Sequence, residues 1–371
     1  MPNQFITIKE LARLTLPKLM DHLVFPNLCY RDLEQDFDAH KLGDTIQVHK
    51  PIRLTAKDFD PSTGVTQEDL KEESVDFQLN KIATVDVGIE ALEGASNVDT
   101  LTRVFIEPAA QALAEKINRE GLELYQDVPS YVGTAGSTTS TLAVFASARK
   151  QLNLNKAPAS GRVAVWDPEA DAAFTTLDAV VHADKCGSSQ ALREGSIGRV
   201  MGMDHYMSQA VAQHTTGITA ATAVKVAADV TAGATKLNLA GTSLTGKLKK
   251  GDLMTISGKA YVVTKETAAA ASNAISNVEV YPALPAIAAN TDVTLVGSHT
   301  ANLAFCPMAF GFATRPLTAP AGVESYTTNY NGISLRVVRG YDITHKREIL
   351  SMDVLYGFKT LYPELAVRVL G

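Results

Sequence analysis

The stretch REGSIGRVMG, Arg193–Gly202, sets three glycines, Gly195, Gly198 and Gly202, among two arginines. Closely spaced glycines beside a cation are what a phosphate-cradling loop uses, because bare backbone lets N–H groups approach the anion. The spacing here, three and then four, is neither GxGxxG nor GxxxxGK[ST]. Arg199 follows Gly198 where the second pattern wants Lys and then Ser or Thr. The stretch also leads from a short helix into a strand, whereas phosphate loops run from strand into helix. Gly195 and Gly198 are therefore expected to bend the chain at a helix end, and Gly202 to mark a close-packed point in the strand MGMDHYM.

Two other groups have metal-binding or acid–base residue types. His182 and Cys186 stand four apart, with Asp204 and His205 further on. Adjacent strand residues point to opposite faces, so Asp204 and His205 do not converge on one ion, and no further ligands follow at zinc spacing. The segment KDFDPSTGVTQEDLKEES carries Asp58, Asp60, Glu68, Asp69, Glu72 and Glu73 against only Lys57 and Lys71. It lacks the DxDxDG order of a calcium loop. It reads as a solvated or intersubunit acidic loop, long enough to reach a neighbour. With no HExxH and no GxSxG present, the expectation is no catalytic, cofactor or metal site.

Composition narrows the class. The chain has 371 residues and a net charge of −6, with 46% hydrophobic and 20% charged residues. That is globular composition, long enough for two or three structural units. An acidic balance gives no strong positive field toward nucleic acid or anionic lipid and argues against electrostatic capture of DNA, while leaving DNA open as a neighbour. Cys29, Cys186 and Cys306 are far apart and odd in number, which reads as free thiols in a reducing compartment. MPNQFITIKE lacks a secretory signal pattern, and no apolar run is long enough to span a membrane.

The elements that would position these residues follow from periodicity. Thr7 and Glu10 form a capping-box pattern before Ile8, Leu11, Leu14 and Leu19, with Pro17 expected to shorten, kink or break that helix. Such a segment reads as an arm whose leucines need another surface. Thr45–Lys50 alternates like a strand, with return strands at Val75–Leu79 and Val85–Val87, so the acidic run is the tip of a long hairpin. A helix of about 28 residues, spanning about 42 Å, follows Asn97. It buries Leu101, Phe105, Ala109, Leu113, Ile117 and Leu124, bends at Pro108, and pairs Glu115 with Arg119 and Lys116 with Glu120.

Residues 130–215 alternate helix and strand. A helix starts at Ser140, RVAVW is a strand, and Asp167–Pro168 opens the next helix. From Thr215 the chain is rich in Thr, Ala and Gly. Strand signals recur at Val224–Val226, Leu237–Leu239, Leu253–Ile256, Tyr261–Val263, Val278–Tyr281 and Val293–Val296, a small all-β unit interrupting the α/β region. Asn331–Gly332 is a hairpin signal, and the apolar C-terminus is expected to be paired into a sheet.

This order of parts, with LREGSIGRVMGMDHYMSQAV, LKKGDLMTISGKAYVVTK and ISLRVVRGYDITHKREILSMDVLYGFKTLYPELAVRVLG, resembles the major capsid (coat) proteins of tailed bacteriophages. The resemblance implies an α+β, Hong Kong 97-like fold. Its parts are an N-terminal arm (1–36), an extended hairpin or E-loop (37–84), a P-domain with spine helix (85–129), an A-domain (130–215 and 299–324), an inserted β-rich domain (216–298), as in short-tailed phage coats, and C-terminal P-domain strands (325–371). It implies self-assembly into hexamers and pentamers of an icosahedral virion shell in the host cytoplasm. Its partners are copies of itself, a scaffolding protein, a portal protein and enclosed double-stranded DNA bound without sequence specificity, and it has no membrane partner. The basic cluster Arg336, Arg339, Lys346 and Arg347 then has three readings: a solvated face paired with nearby acids, a contact for a neighbour's acidic hairpin, or a surface facing DNA. The alternatives are an encapsulin-like nanocompartment shell and a soluble nucleotide-dependent enzyme.

Overall fold

The computed structural model describes residues 8–32, 45–49, 74–89, 106–182, 193–344 and 347–371. Thr7, the acidic run 58–73, residues 97–105, Cys186 and Lys346 lie outside the described residues.

Two mixed layers carry the main body. In the first, the 14-residue strand Arg347–Thr360 is the axis. Along one edge it pairs with Ile333–Asp342 and then Phe310–Arg315; along the other it pairs with Lys81–Ile89. Glu324–Tyr330 extends the sheet through the Asn331–Gly332 turn, whose φ values of 48° and 71° are those of a hairpin turn. The helix Glu107–Leu122 lies against this sheet and buries Ala109, Leu113 and Ile117, as its period requires. Pro108 lies in the first turn of the described helix, and the residues on its N-terminal side that the expected bend involves, 97–105, lie outside the described residues.

The first helix, Ile8–His22, continues through Pro17. The carbonyl freed by proline belongs to Arg13, which is exposed, so water can satisfy it. Leu11, Leu16 and Leu19 are buried against the spine helix and the strands Glu324–Tyr330 and Ile333–Asp342 of the same chain. Leu14 faces outward at 44% exposure, contrary to the expected apolar stripe. One buried side chain joins the helices. Asn118 of the spine accepts from the N–H groups of Val24 and Phe25, both at 3.1 Å, and donates to the His22 carbonyl at 2.9 Å. Glu120 takes Lys81 at 2.9 Å and the Tyr356 hydroxyl at 2.8 Å, so its partner lies across the sheet and not at Lys116.

The second layer is a 7-stranded sheet. Its order is Tyr131–Gly133, Ala366–Leu370, His299–Phe305, Arg162–Trp166, Met203–Met207 and Arg199–Val200, with Gln213–His214 pairing the start of His299–Phe305. The chain's last strand thus sits inside the sheet, parallel to Tyr131–Gly133 and antiparallel to His299–Phe305. RVAVW is buried at every position because it has neighbours on both edges and side chains over both faces. Trp166 packs against Phe145 (5.2 Å between centroids) and Phe174 (4.9 Å). Asp167 caps the helix Pro168–Thr175 by accepting from the Ala170 N–H.

A third, 6-stranded sheet runs from Lys225–Val226 to Val293–Leu295 and includes every strand expected between 224 and 296. It has its own buried cluster, including Val226, Leu239, Met254, Tyr261 and Val278. A smaller cluster, Leu253, Val262 and Leu370 with Tyr131 and Tyr281, fastens it to the main body.

Phe25 is a packing test for the junction of spine and sheets. Its ring lies 5.5 Å from Phe305 and Phe310 and 6.0 Å from Phe358. A Cβ on Gly121 would stand 2.5 Å from the Phe25 ring. Alanine normally stabilises a helix interior over glycine by about 1 kcal/mol. Here Gly121→Ala is expected to destabilise instead, by about 1–3 kcal/mol, measured as a lowered midpoint in urea.

Candidate functional site

The glycine stretch folds as two bends and a hairpin. Arg193 and Glu194 are helical, and Gly195 and Gly198 then take left-handed φ values of 66° and 69°. Arg199–Val200 and Met203–Met207 pair antiparallel with Val200 opposite Met203. Met201 (φ 51°) and Gly202 (φ 79°) are therefore the two central residues of a tight turn. A Cβ at Gly202 would meet nothing within 4 Å, so its role is backbone sign, not the close packing expected of it.

The metal-type residues are dispersed. His205 is buried; its Nδ1 accepts from the Trp166 indole at 2.9 Å, and its Nε2 lies 3.2 Å from the Val200 carbonyl. Burial holds its pKa below the ordinary histidine value. Asp204 faces Arg199 at 3.8 Å on the other side of the strand. His182 is exposed beside Asp178 at 3.9 Å. Among the described residues, no three His, Cys, Asp or Glu side chains are grouped to hold a metal.

Of the basic cluster, Arg336 is engaged within its own chain. Its Nε and Nη2 both donate to Asp353, at 3.0 and 2.5 Å, and its Nη1 donates to the Thr318 carbonyl at 2.9 Å. Arg336 is therefore already paired within its own chain. Arg339 is exposed and opposite Glu324 in register; the backbone of Arg347 pairs with Asp342.

A buried polar knot was not expected from the sequence. Arg368, in the otherwise apolar last strand AVRVL, is fully buried. It donates to the carbonyls of Gly251 (2.8 Å), Tyr125 (2.6 Å) and Val128 (3.2 Å), and its guanidinium lies 4.8 Å from the centre of the Tyr125 ring. Burial lowers its pKa to about 9, so it remains a cation at neutral pH. Beside it, the Tyr125 hydroxyl meets His214 Nδ1 at 3.0 Å, and His214 Nε2 meets Asp252 at 2.8 Å. Asp252 also accepts the Lys249 N–H at 2.7 Å. His299, 5.1 Å from His214 ring to ring, uses Nδ1 on the Gly297 carbonyl at 2.8 Å. Tyr–His–Asp is a general-base order, but the His214 and Asp252 side chains are only 3% and 2% exposed, and they are occupied by each other. The knot holds the end of the spine, the last strand and the 6-stranded unit together. Its one legible signal was a charge inside an apolar strand.

No family model matches the chain, and no curated protein matches it. Among solved structures, it is similar over 94% of its length to a chain of Mycobacterium phage Che8, at 15% identity and TM-score 0.54, covering 90% of that chain. It is similar to a chain in the capsid structure of the cyanophage P-SCSP1u at 14% identity and TM-score 0.51, covering 94% of this chain and 88% of that one. The virus-like particle of Pyrococcus furiosus aligns over 98% of both chains at 8% identity and TM-score 0.42, too low to carry an argument for a nanocompartment. The chain therefore has the α+β, Hong Kong 97-like fold of tailed-phage capsids.

Two outcomes test the knot. Arg368→Ala leaves three buried carbonyls without their donor and is expected to cost about 3–5 kcal/mol; Arg199→Ala, losing an exposed pair, stays within about 1 kcal/mol. Both are read from urea unfolding. His299 supplies the pH test. Burial lowers its pKa to about 4, with the Arg368 guanidinium acting in the same direction, against about 6.5 when unfolded. Its contribution is fully present above pH 6.5 and is lost as pH falls toward 4, because the unfolded chain takes up the proton first. The melting temperature of His299→Asn is expected to fall less steeply than that of the wild type between pH 6.5 and 4.

Proposed function

We propose that the chain is the major capsid protein of a tailed bacteriophage, forming the hexamers and pentamers of an icosahedral shell around packaged double-stranded DNA. The observation that carries this reading is the match of fold along nearly the whole chain to a phage capsid structure. On this reading the protein acts by repeated binding and not by catalysis. Many modest contacts close a shell through multivalency, and their individual weakness lets a misplaced subunit leave. Scaffolding and portal proteins are the further partners, and the virion is the location. A net charge of −6 suits a wall past which DNA must slide, since a strongly cationic lining would bind it.

Within this reading, residues 216–298 are the inserted domain, steadying the subunit through the knot. Asp58, Asp60, Glu68, Asp69, Glu72 and Glu73 supply an acidic intersubunit contact carried on the paired strands Thr45–His49 and Ser74–Gln78. Arg339, Lys346 and Arg347 are kept as its candidate partners.

Electron microscopy of the protein expressed with a scaffolding chain is expected to show closed shells or capsomers; small single particles would overturn the reading. Deleting Asp60–Lys71 is expected to leave a folded chain that no longer sediments as shells. Normal shells from the deletion would remove the acidic segment from the assembly contact.

A further inference from the structure

We propose that the outer edge of the strand Glu324–Tyr330 pairs, across a two-fold axis, with the same edge of a second copy of this chain. The inference stands on the strand itself and does not rest on the shell reading.

Glu324–Tyr330 is the outermost strand of the 5-stranded sheet and is bonded on one side only, to Ile333–Asp342. The Asn331–Gly332 turn closes on the pair Tyr330–Ile333, which fixes the phase of the ladder. From there hydrogen-bonded and non-hydrogen-bonded pairs alternate, as in any antiparallel ladder. Tyr330, Thr328, Tyr326 and Glu324 therefore bond inward, and Ser325, Thr327 and Asn329 turn their N–H and C=O groups outward. Among the described residues, none of those outward backbone groups has a hydrogen-bond partner. The register runs through all 7 residues without a shift.

An open edge is a template for another chain, and folded proteins blunt such edges with lysine, proline or a bulge. This edge has none of them. The only charge in ESYTTNY is Glu324, at its end, and threonine and tyrosine favour the extended state. Lys81–Ile89, the outer strand on the opposite side of the sheet, carries both Lys81 and Asp86. The sequence of the edge selects a second copy as its occupant. With Thr327 opposite its own counterpart, Ser325 meets Asn329 of the second copy, and these pairs are of the narrow, doubly hydrogen-bonded kind. Glu324 then stands opposite Tyr330, so no like charges face each other and a carboxylate meets a hydroxyl donor. Tyr330 is 64% exposed and Glu324 is exposed, so both can take part. One self-complementary edge is all that a two-fold contact needs, because both copies use the same patch.

The test uses the full chain carrying Cys186→Ser, since Cys29 and Cys306 are buried. Thr327→Cys is expected to give a covalent dimer under mild oxidation, because the two-fold axis sets the residue against itself at about 5.5 Å between Cα atoms, within disulfide range. Ser325→Cys alone is expected to give none, and Ser325→Cys/Asn329→Cys to give one. Without added cysteines, sedimentation is expected to show a concentration-dependent dimer that Thr327→Pro weakens by about ten-fold. The Thr327 N–H makes no backbone bond within the chain, so proline is tolerated there and circular dichroism should be unchanged. Thr327→Lys, which sets two lysines against each other, is the second variant and is expected to weaken the dimer as much. A wild-type chain that stays monomeric, a dimer that both variants leave intact, or Ser325→Cys crosslinking as readily as Thr327→Cys overturns the proposal. Closed shells without the Thr327→Cys crosslink keep the shell reading and overturn this contact; a crosslinked dimer that never forms shells does the reverse.

Discussion

A guanidinium cannot be buried without hydrogen-bond acceptors, and Arg368 takes its acceptors from separate parts of the chain. The carbonyls come from Tyr125 and Val128 at the end of the spine and from Gly251 in the 6-stranded unit. The arginine itself belongs to the last strand. Desolvating a charge costs several kcal/mol unless it is well paired, so these elements must meet in one geometry for the native state to form. Around that point the polar partners are completed in turn: Tyr125 by His214, His214 by Asp252, Asp252 by the Lys249 backbone. The Tyr131–Thr255 hydroxyl pair at 2.7 Å and the Lys250–Asp127 pair at 2.9 Å repeat the same junction.

The consequence is one continuously packed body. One buried cluster runs through both main sheets and both long helices, and a second fills the 6-stranded unit. The knot and the Leu253–Val262–Leu370 cluster join the two. For a proposed shell subunit this matters mechanically, because weak contacts at the rim position neighbours only if the body between them does not bend. The first helix belongs to this body: Leu11, Leu16 and Leu19 are covered by its own chain.

What was legible in the sequence was set by neighbours close in the chain. The strands of residues 224–296 announced themselves by alternation, the Asn331–Gly332 turn by its dipeptide, and the helix at Pro168 by its cap and its proline. What was not legible depended on partners far away. Pro17 stays in a helix because the carbonyl it frees is exposed, a fact of burial. Glu120 prefers Lys81 and Tyr356 to Lys116 because the sheet brings them to it. Gly202 was placed in a strand because the pattern MGMDHYM hides a two-residue turn at its start. Arg368 was the largest omission: one charge in AVRVL looks like an edge residue until the strand is seen inside a sheet.

The knot makes the spine end, the last strand and the 6-stranded unit a single cooperative body. Native-state hydrogen exchange of the full chain tests this most directly. A single cooperative body requires that the amides of Val128, Met254–Ile256, Val262, Val367 and Val369 exchange through one common opening, with the same free energy and the same denaturant dependence. It is contradicted if the amides of residues 253–263 exchange through a separate, lower-energy opening while Val367 and Val369 stay protected.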